Sequence, residues 1–266
     1  AAAQLASLLL LLVALALVGE RRLRGAARFH ETARGAPPPR LALKGWRATL
    51  AATAGGAVLT AGFVVPMTQL VGWAVGSGAG GLDARYWTLL VHTLALGASA
   101  ALVTVTGAFL VALARRQLTD RPSRIAADLS ALGYALPGSV LAVGVMMSFA
   151  GIDNALDTLW RLAGGSSLGP VLGGSIAALL LAYLVRFLAV AIGPVGSALE
   201  RLRPSVVEAA RTLGARGLDL VRRVYLPLLR PGLLTAALLV LVEVMKEMPA
   251  TLLLRPFGWD TLAVRI

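Results

Sequence analysis

The 266 residues include no cysteine, which excludes a disulfide framework, a thiolate metal site and a cysteine nucleophile. Charge is scarce. Only 14% of the residues are Asp, Glu, Lys or Arg, against about 25% in soluble domains. Lysine occurs only at Lys44 and Lys246, and neither follows the glycines of a GxxxxGKS/T phosphate loop. The two histidines, His30 in a polar segment and His92 in an apolar one, are too isolated in the chain to suggest a metal pair. No HExxH string is present. A nucleotide-hydrolysing enzyme or one with a thiolate or paired-histidine metal site finds none of its parts here, so any energetic work draws on a partner or an ion gradient.

What the chain does have is apolar length: 58% of it is hydrophobic, too much for one soluble core. A bilayer core about 30 Å thick is crossed by roughly 20 apolar residues in a helix. Six such stretches can be read, at residues 1–18 and at about 46–73, 88–114, 125–150, 170–192 and 231–254. The first is no secretory signal, because its basic residues follow the apolar run instead of preceding it. Trp46 and Trp73 bracket the second, as interfacial tryptophans do. Pro66, Pro137, Gly138 and Gly144 fall inside these runs, where neighbouring helices can satisfy the freed backbone groups. The expected fold class is all-α, a polytopic membrane helix bundle.

The net charge of +12, from 25 basic and 13 acidic residues, would point to nucleic acid in a soluble protein. Its distribution says otherwise. Nineteen basic residues fall in segments 20–47, 115–124 and 193–230, and only Arg85, Arg161, Arg255 and Arg265 in the alternate segments. That alternation follows the positive-inside rule. It places the three basic connections in the cytoplasm, the start of the first helix outside and Ile266 outside. The Pro37-Pro38-Pro39 run reads as a stiff spacer between the first helix and the second.

The connection 204–232 is the most patterned polar-side segment. Val206, Val207, Ala210 and Leu213 form one apolar stripe at helical spacing, and Leu218, Val221, Val224 and Leu228 form another. Gly214 and Gly217 separate them, and Pro227 and Pro231 are expected to end the second helix near the membrane. Such a pair can offer the small face of Ala209, Ala210 and Gly214 to a partner, with Glu208 meeting a basic residue. Alternatively it lies on the headgroups with Arg211, Arg222 and Arg223 toward lipid phosphate.

In the last run Glu243, Lys246 and Glu247 are spaced i, i+3, i+4 and share a helix face. Charges at such depth usually face a cavity or one another. Lys246 can neutralise one carboxylate but not both, which leaves net negative character unless Arg186 of the fifth run contributes. Pro249 should break the helix just beyond. The cluster is either an internal ion-pair knot or the lining of a pathway or gate. Two rival functions use the same residues: a gradient-driven secondary transporter relaying protons through Glu243 and Glu247, and an intramembrane enzyme with a carboxylate pair.

Glu208-Ala209-Ala210, then Gly214, then Val224, Leu226 and Pro227, resemble the EAA loop of binding-protein-dependent ABC importer permeases. Only Val224 departs, standing where isoleucine is usual. The resemblance implies a type I importer permease fold, with that loop docked into a cytoplasmic ABC ATPase dimer that carries the ATP and magnesium. No cofactor is then bound by this chain. The stretch 243–266, with Met245-Lys246-Glu247, Pro249-Ala250-Thr251, Arg255-Pro256-Phe257 and Asp260-Thr261-Leu262, resembles the ferric-iron type of these permeases. Met248 replaces a more usual leucine. Relatives carrying thiamine or other small solutes share the architecture. The resemblance further implies an extracytoplasmic solute-binding protein, a bacterial inner-membrane location and a second permease half, fused or separate. Residues 1–40 would then be the last helix of a preceding half plus a cytoplasmic linker, and 41–266 the second transmembrane domain without its final helix. An iron ion in the pore would have no stable metal site, only transient hard oxygen donors from Glu243 or Glu247.

Overall fold

A computed structural model describes residues 43–76, 84–117, 125, 129–130 and 132–265. The expected first span, residues 1–18, lies outside the described residues. Every element described is helical, and five helices are long and apolar enough to cross a membrane. These are α1 (Trp46–Gly76), α2 (Ala84–Gln117), α3 (Gly138–Leu162), α4 (Ile176–Arg201) and α6 (Gly217–Met245). The short α5 (Pro204–Thr212) lies between α4 and α6, and after α6 come α7 (Pro249–Leu254) and α8 (Leu262–Arg265).

The chain divides into two compact units, one holding residues 31–88 and the other the remainder. In the first, α1 is apolar on every face and contains a π turn at Thr60–Val64. The hydroxyls of Thr49, Thr53 and Thr68 donate to carbonyls three or four residues back. Helical threonines thereby keep their polar atoms satisfied without a neighbour.

In the larger unit, α2, α4 and α6 share one core, joined by the first turns of α3. Its centre is built from small residues: Ala100, Ala108, Ala182, Ala191 and Ala236 are all fully buried. Between membrane helices, association rests on close packing because lipid is as apolar as leucine. Gly232 shows how close the approach is, since a Cβ there would stand 2.4 Å from the Ala198 methyl and 3.0 Å from the Pro194 carbonyl oxygen.

The fourth span departs from expectation. The run 125–150 is not one helix: a 3₁₀ turn at Leu132–Ala135 leads to extended Pro137, and α3 then continues to Leu162. Proline has no N–H and disfavours helical backbone in the residue before it, so Pro137 starts a helix instead of sitting inside one. The expected outer connection 151–169 is accordingly helical over its first half. Its carboxylates are used by the loop after α3: Asp153 accepts from the amides of Leu172 and Gly173, both at 2.8 Å, and Asp157 from that of Leu168 at 2.8 Å. The fifth span likewise lies further along, from Ile176, whose helix is capped by Ser175 accepting from the Ala178 amide at 3.2 Å.

The sixth span is also corrected. Pro227 and Pro231 do not end a helix; α6 runs from Gly217 through both to Met245. A π turn at Val221–Tyr225 precedes Pro227, with the Leu226 amide donating to the Val221 carbonyl, and its wider winding accommodates the pyrrolidine ring within the helix. Helix α6 then stops at Met245, short of the expected end at residue 254, before the break at Lys246-Glu247-Met248 and the start of α7 at Pro249.

Side-chain contacts hold the two ends of the bundle in the order the charge pattern predicts. Arg116, at the basic end of α2, donates to the carbonyls of Leu199 and Leu202 at the basic end of α4, both at 2.9 Å. At the opposite end the Leu262 amide donates to Thr93 at 2.9 Å, and His92 stacks on Trp259 with ring centroids 4.4 Å apart.

Candidate functional sites: a helix–turn–helix loop and a buried ion pair

The segment 204–228 is a helix–turn–helix standing on the basic end of the bundle. Pro204 opens α5 at its first position, where its missing N–H is harmless. Helix α5 ends in a Schellman motif: the Gly214 amide donates to Arg211 and the Ala215 amide to Ala210, both at 3.0 Å. That closure puts Gly214 at φ +90°, a left-handed conformation that glycine adopts without penalty. The turn is therefore fixed by backbone chemistry before any partner is considered.

One face of this segment belongs to the bundle. Val207, Leu220 and Tyr225 are buried in the shared core, with Ala210, Ala215, Val221 and Val224 packed against it. The remainder faces out. Glu208 and Ala209 are exposed, Leu213 is 88% and Leu218 61% exposed, and Leu226 and Pro227 are exposed at the start of the long helix. Each apolar stripe read in the sequence is thus split, Val207 and Ala210 turning inward while Val206 and Leu213 do not. An exposed ion pair, Asp219 with Arg223 at 3.4 Å, lies on the second helix.

The second site lies at the far end of α6. Glu243, Lys246 and Glu247 do not share one helix face, because α6 ends at Met245. Lys246 pairs with Glu243 at 2.8 Å in a partly exposed position. Glu247 turns inward and is buried, where Arg186 of α4 meets it through Nε at 3.1 Å. Both carboxylates are therefore neutralised by a cation.

More is gathered there than the sequence indicated. The Arg186 Nη1 donates to the Leu136 carbonyl at 2.7 Å, just before α3 begins. The Ala250 amide, in the first turn of α7 after Pro249, donates to Glu247 Oε1 at 3.3 Å. Thr251 donates its hydroxyl to the Glu247 carbonyl and is 2.6 Å from the Tyr183 hydroxyl. Tyr183 and Arg186 sit i, i+3 on α4, a spacing that could have flagged a shared polar face. Arg116 gave no such signal, because its two acceptors are backbone carbonyls more than eighty residues away. Among the described residues no three His, Asp or Glu side chains converge as a metal-ligand group.

A bundle of apolar helices with sorted loop charges, an ordered helix pair and a buried ion pair defines a multi-pass membrane protein. Residues 104–262 match the family described as binding-protein-dependent transport system inner membrane component, and the chain belongs to that family. It is a multi-pass inner-membrane protein of a transport permease family. Among curated relatives, it is 28% identical over 186 residues to the putative 2-aminoethylphosphonate transport system permease protein PhnV of Salmonella typhimurium, covering 70% of this chain and 64% of that one. The PhnV of Salmonella typhi matches to the same extent. The Fe(3+)-transport system permease protein FbpB 2 of Haemophilus influenzae is 25% identical over 277 residues, covering all of this chain and 50% of that one. The chain thus spans under two thirds of the length of the curated relatives it matches.

Proposed function

We propose that this chain is the permease part of an ATP-driven importer, and that segment 204–228 is where a cytoplasmic ATPase dimer docks. The observation that carries the reading is the segment's construction. It is packed on the bundle through Val207, Leu220 and Tyr225 and its turn is closed by the Schellman bonds, yet it leaves Glu208, Ala209, Leu213 and Gly214 exposed. It also continues without interruption into α6. A pair lying passively on headgroups has no need of a rigid link to a transmembrane helix. ATP and magnesium bind the partner ATPase, whose closure moves the docked helices and opens the bundle outward. An extracytoplasmic binding protein delivers the solute on that side, and the resting state returns with the pathway open inward. The decisive measurement is co-purification: wild type retains the ATPase, and Glu208→Arg and Gly214→Trp lose it. Retention by both variants would overturn the docking assignment.

For the solute we propose ferric iron. The support is the string 243–266 and a similarity to the Fe(3+)-transport permease that covers this whole chain, where the phosphonate permease covers 70%. Uptake of ⁵⁵Fe by cells expressing the complete system, competed by ferric but not by 2-aminoethylphosphonate, is expected; the reverse competition would reassign the cargo. Because Arg186 and Lys246 already neutralise Glu247 and Glu243, iron passes without a resident ligand set. On the same similarity we propose the two-half arrangement, with residues 1–40 ending one half and 41–266 belonging to the next, tested by the size of the native gene product.

A further inference from the structure

Three elements meet at one ion pair. Helix α6 is a continuous rod of 29 residues, about 43 Å at 1.5 Å per residue. One end is the docking segment and the other is the break at residues 246–248. Glu247 sits in that break. Its carboxylate holds the first turn of α7 through the Ala250 amide and is held by Arg186 from α4. The same guanidinium uses a second nitrogen to hold the Leu136 carbonyl, which precedes α3. The first residue of α3 touches the carboxylate so closely that a Cβ on Gly138 would lie 2.3 Å from Glu247 Oε1. Each of these links runs through a side chain, so they can rearrange without unwinding a helix. Charges at membrane depth are costly to leave unpaired, which favours a few discrete pairings over gradual stretching.

We infer that Arg186 and Glu247 form a joint that passes displacement of α6 on to the start of α3, and so sets how much solute moves per ATP hydrolysed. Both act as positioning residues. This rests on the proposed ATP-driven function, since the push arises at the docked end of α6.

Arginine is required on chemical grounds. Its planar fork reaches Glu247 and Leu136 at once, whereas a lysine ammonium keeps the charge but serves both acceptors poorly. Arg186→Lys therefore preserves the ion pair while loosening α3, and Glu247→Gln preserves an acceptor for the Ala250 amide while removing the charge. The complete transporter, with its ATPase and iron-loaded binding protein, is reconstituted in proteoliposomes. Leu159→Cys on α3 and Leu252→Cys on α7, both exposed, carry spin labels for distance measurement with ADP and with ATP plus vanadate. In wild type the α3–α7 distance changes between the two nucleotide states. In Arg186→Lys hydrolysis stays within about threefold of wild type, the distance change is lost and ⁵⁵Fe uptake per ATP falls at least tenfold. Wild-type distance change and uptake per ATP in both variants overturns the joint. So does a loss of hydrolysis and uptake in equal proportion, accompanied by a lowered melting temperature, because that marks a structural role alone. A wild-type complex that neither hydrolyses ATP nor changes distance overturns the proposed function itself. A wild-type complex that changes distance but takes up no iron overturns only the cargo, and the joint is still judged on the distance.

Discussion

Replacing Gly214 separates two reasons for having glycine in the docking turn: backbone geometry and room for a partner. At φ +90° an L side chain is disfavoured by about 1–2 kcal/mol relative to glycine. Nothing else opposes the change, because no heavy atom lies within 4 Å of a Cβ built there. Gly214→Ala thus releases the strain by letting the turn open, and docking has to restore it. At about 1.4 kcal/mol per decade, the affinity for the ATPase subunit falls by about 5–30-fold. Asparagine tolerates the left-handed region, so Gly214→Asn should lose less than about fivefold despite being larger. Titration of the ATPase subunit onto nanodisc-embedded permease measures all three proteins. If Asn binds more weakly than Ala, the partner's closeness and not the turn dictates glycine. If Ala and Asn both bind like wild type, the left-handed turn is irrelevant to docking and the reasoning fails.

Gly133→Ala places a Cβ 2.0 Å from the Val185 carbonyl oxygen, a backbone atom that cannot step aside. Overpacking of this kind destabilises by about 1–3 kcal/mol, and an unchanged melting temperature in detergent would contradict the contact. Arg116→Ala strips two charged hydrogen bonds from the end of α4, for which about 2 kcal/mol is expected; faster amide exchange in α5 is its signature. Tyr183→Phe should lower stability by only about 1 kcal/mol, because Thr251 keeps its bond to the Glu247 carbonyl, and a larger drop in melting temperature would show that Tyr183 holds more than Thr251. Leu213→Asp, at a side chain 88% exposed, leaves stability within about 0.5 kcal/mol while weakening ATPase binding more than tenfold; equal binding would remove Leu213 from the docking face.

The helical class and the helix–turn–helix of segment 204–228 were legible in the sequence, for different reasons. Apolar runs and arginine placement respond to the bilayer, which acts on each segment separately. The EAA-like string is local too, since its turn closes through hydrogen bonds between residues five or fewer apart. Helix ends were less legible, and proline shows why. Pro137 starts a helix, whereas Pro227 and Pro231 lie within one, and the difference is a π turn and the packing of Tyr225 and Leu229 into the core. The Glu243–Lys246 pair followed from helical spacing. The Arg186–Glu247 pair joins residues 61 positions apart, and only the fold determines which carboxylate the arginine meets and that Leu136 shares it.

That separation has a consequence for how the protein is made. Helix α4 reaches the membrane with Arg186 near its middle while Glu247 is still untranslated. At synthesis rates of about 5–20 residues per second, the arginine waits roughly 3–12 s for its counter-ion. During that interval the helix must tolerate an unpaired charge, for which insertion scales give about 2.5–3.5 kcal/mol. It is the most apolar of the five spans, so its leucines keep it inserted until the last strong acceptor arrives. Shortening or polarising α4 should therefore show itself first as a defect of biogenesis, with α4 left out of the membrane, before any finished transporter exists to be slowed.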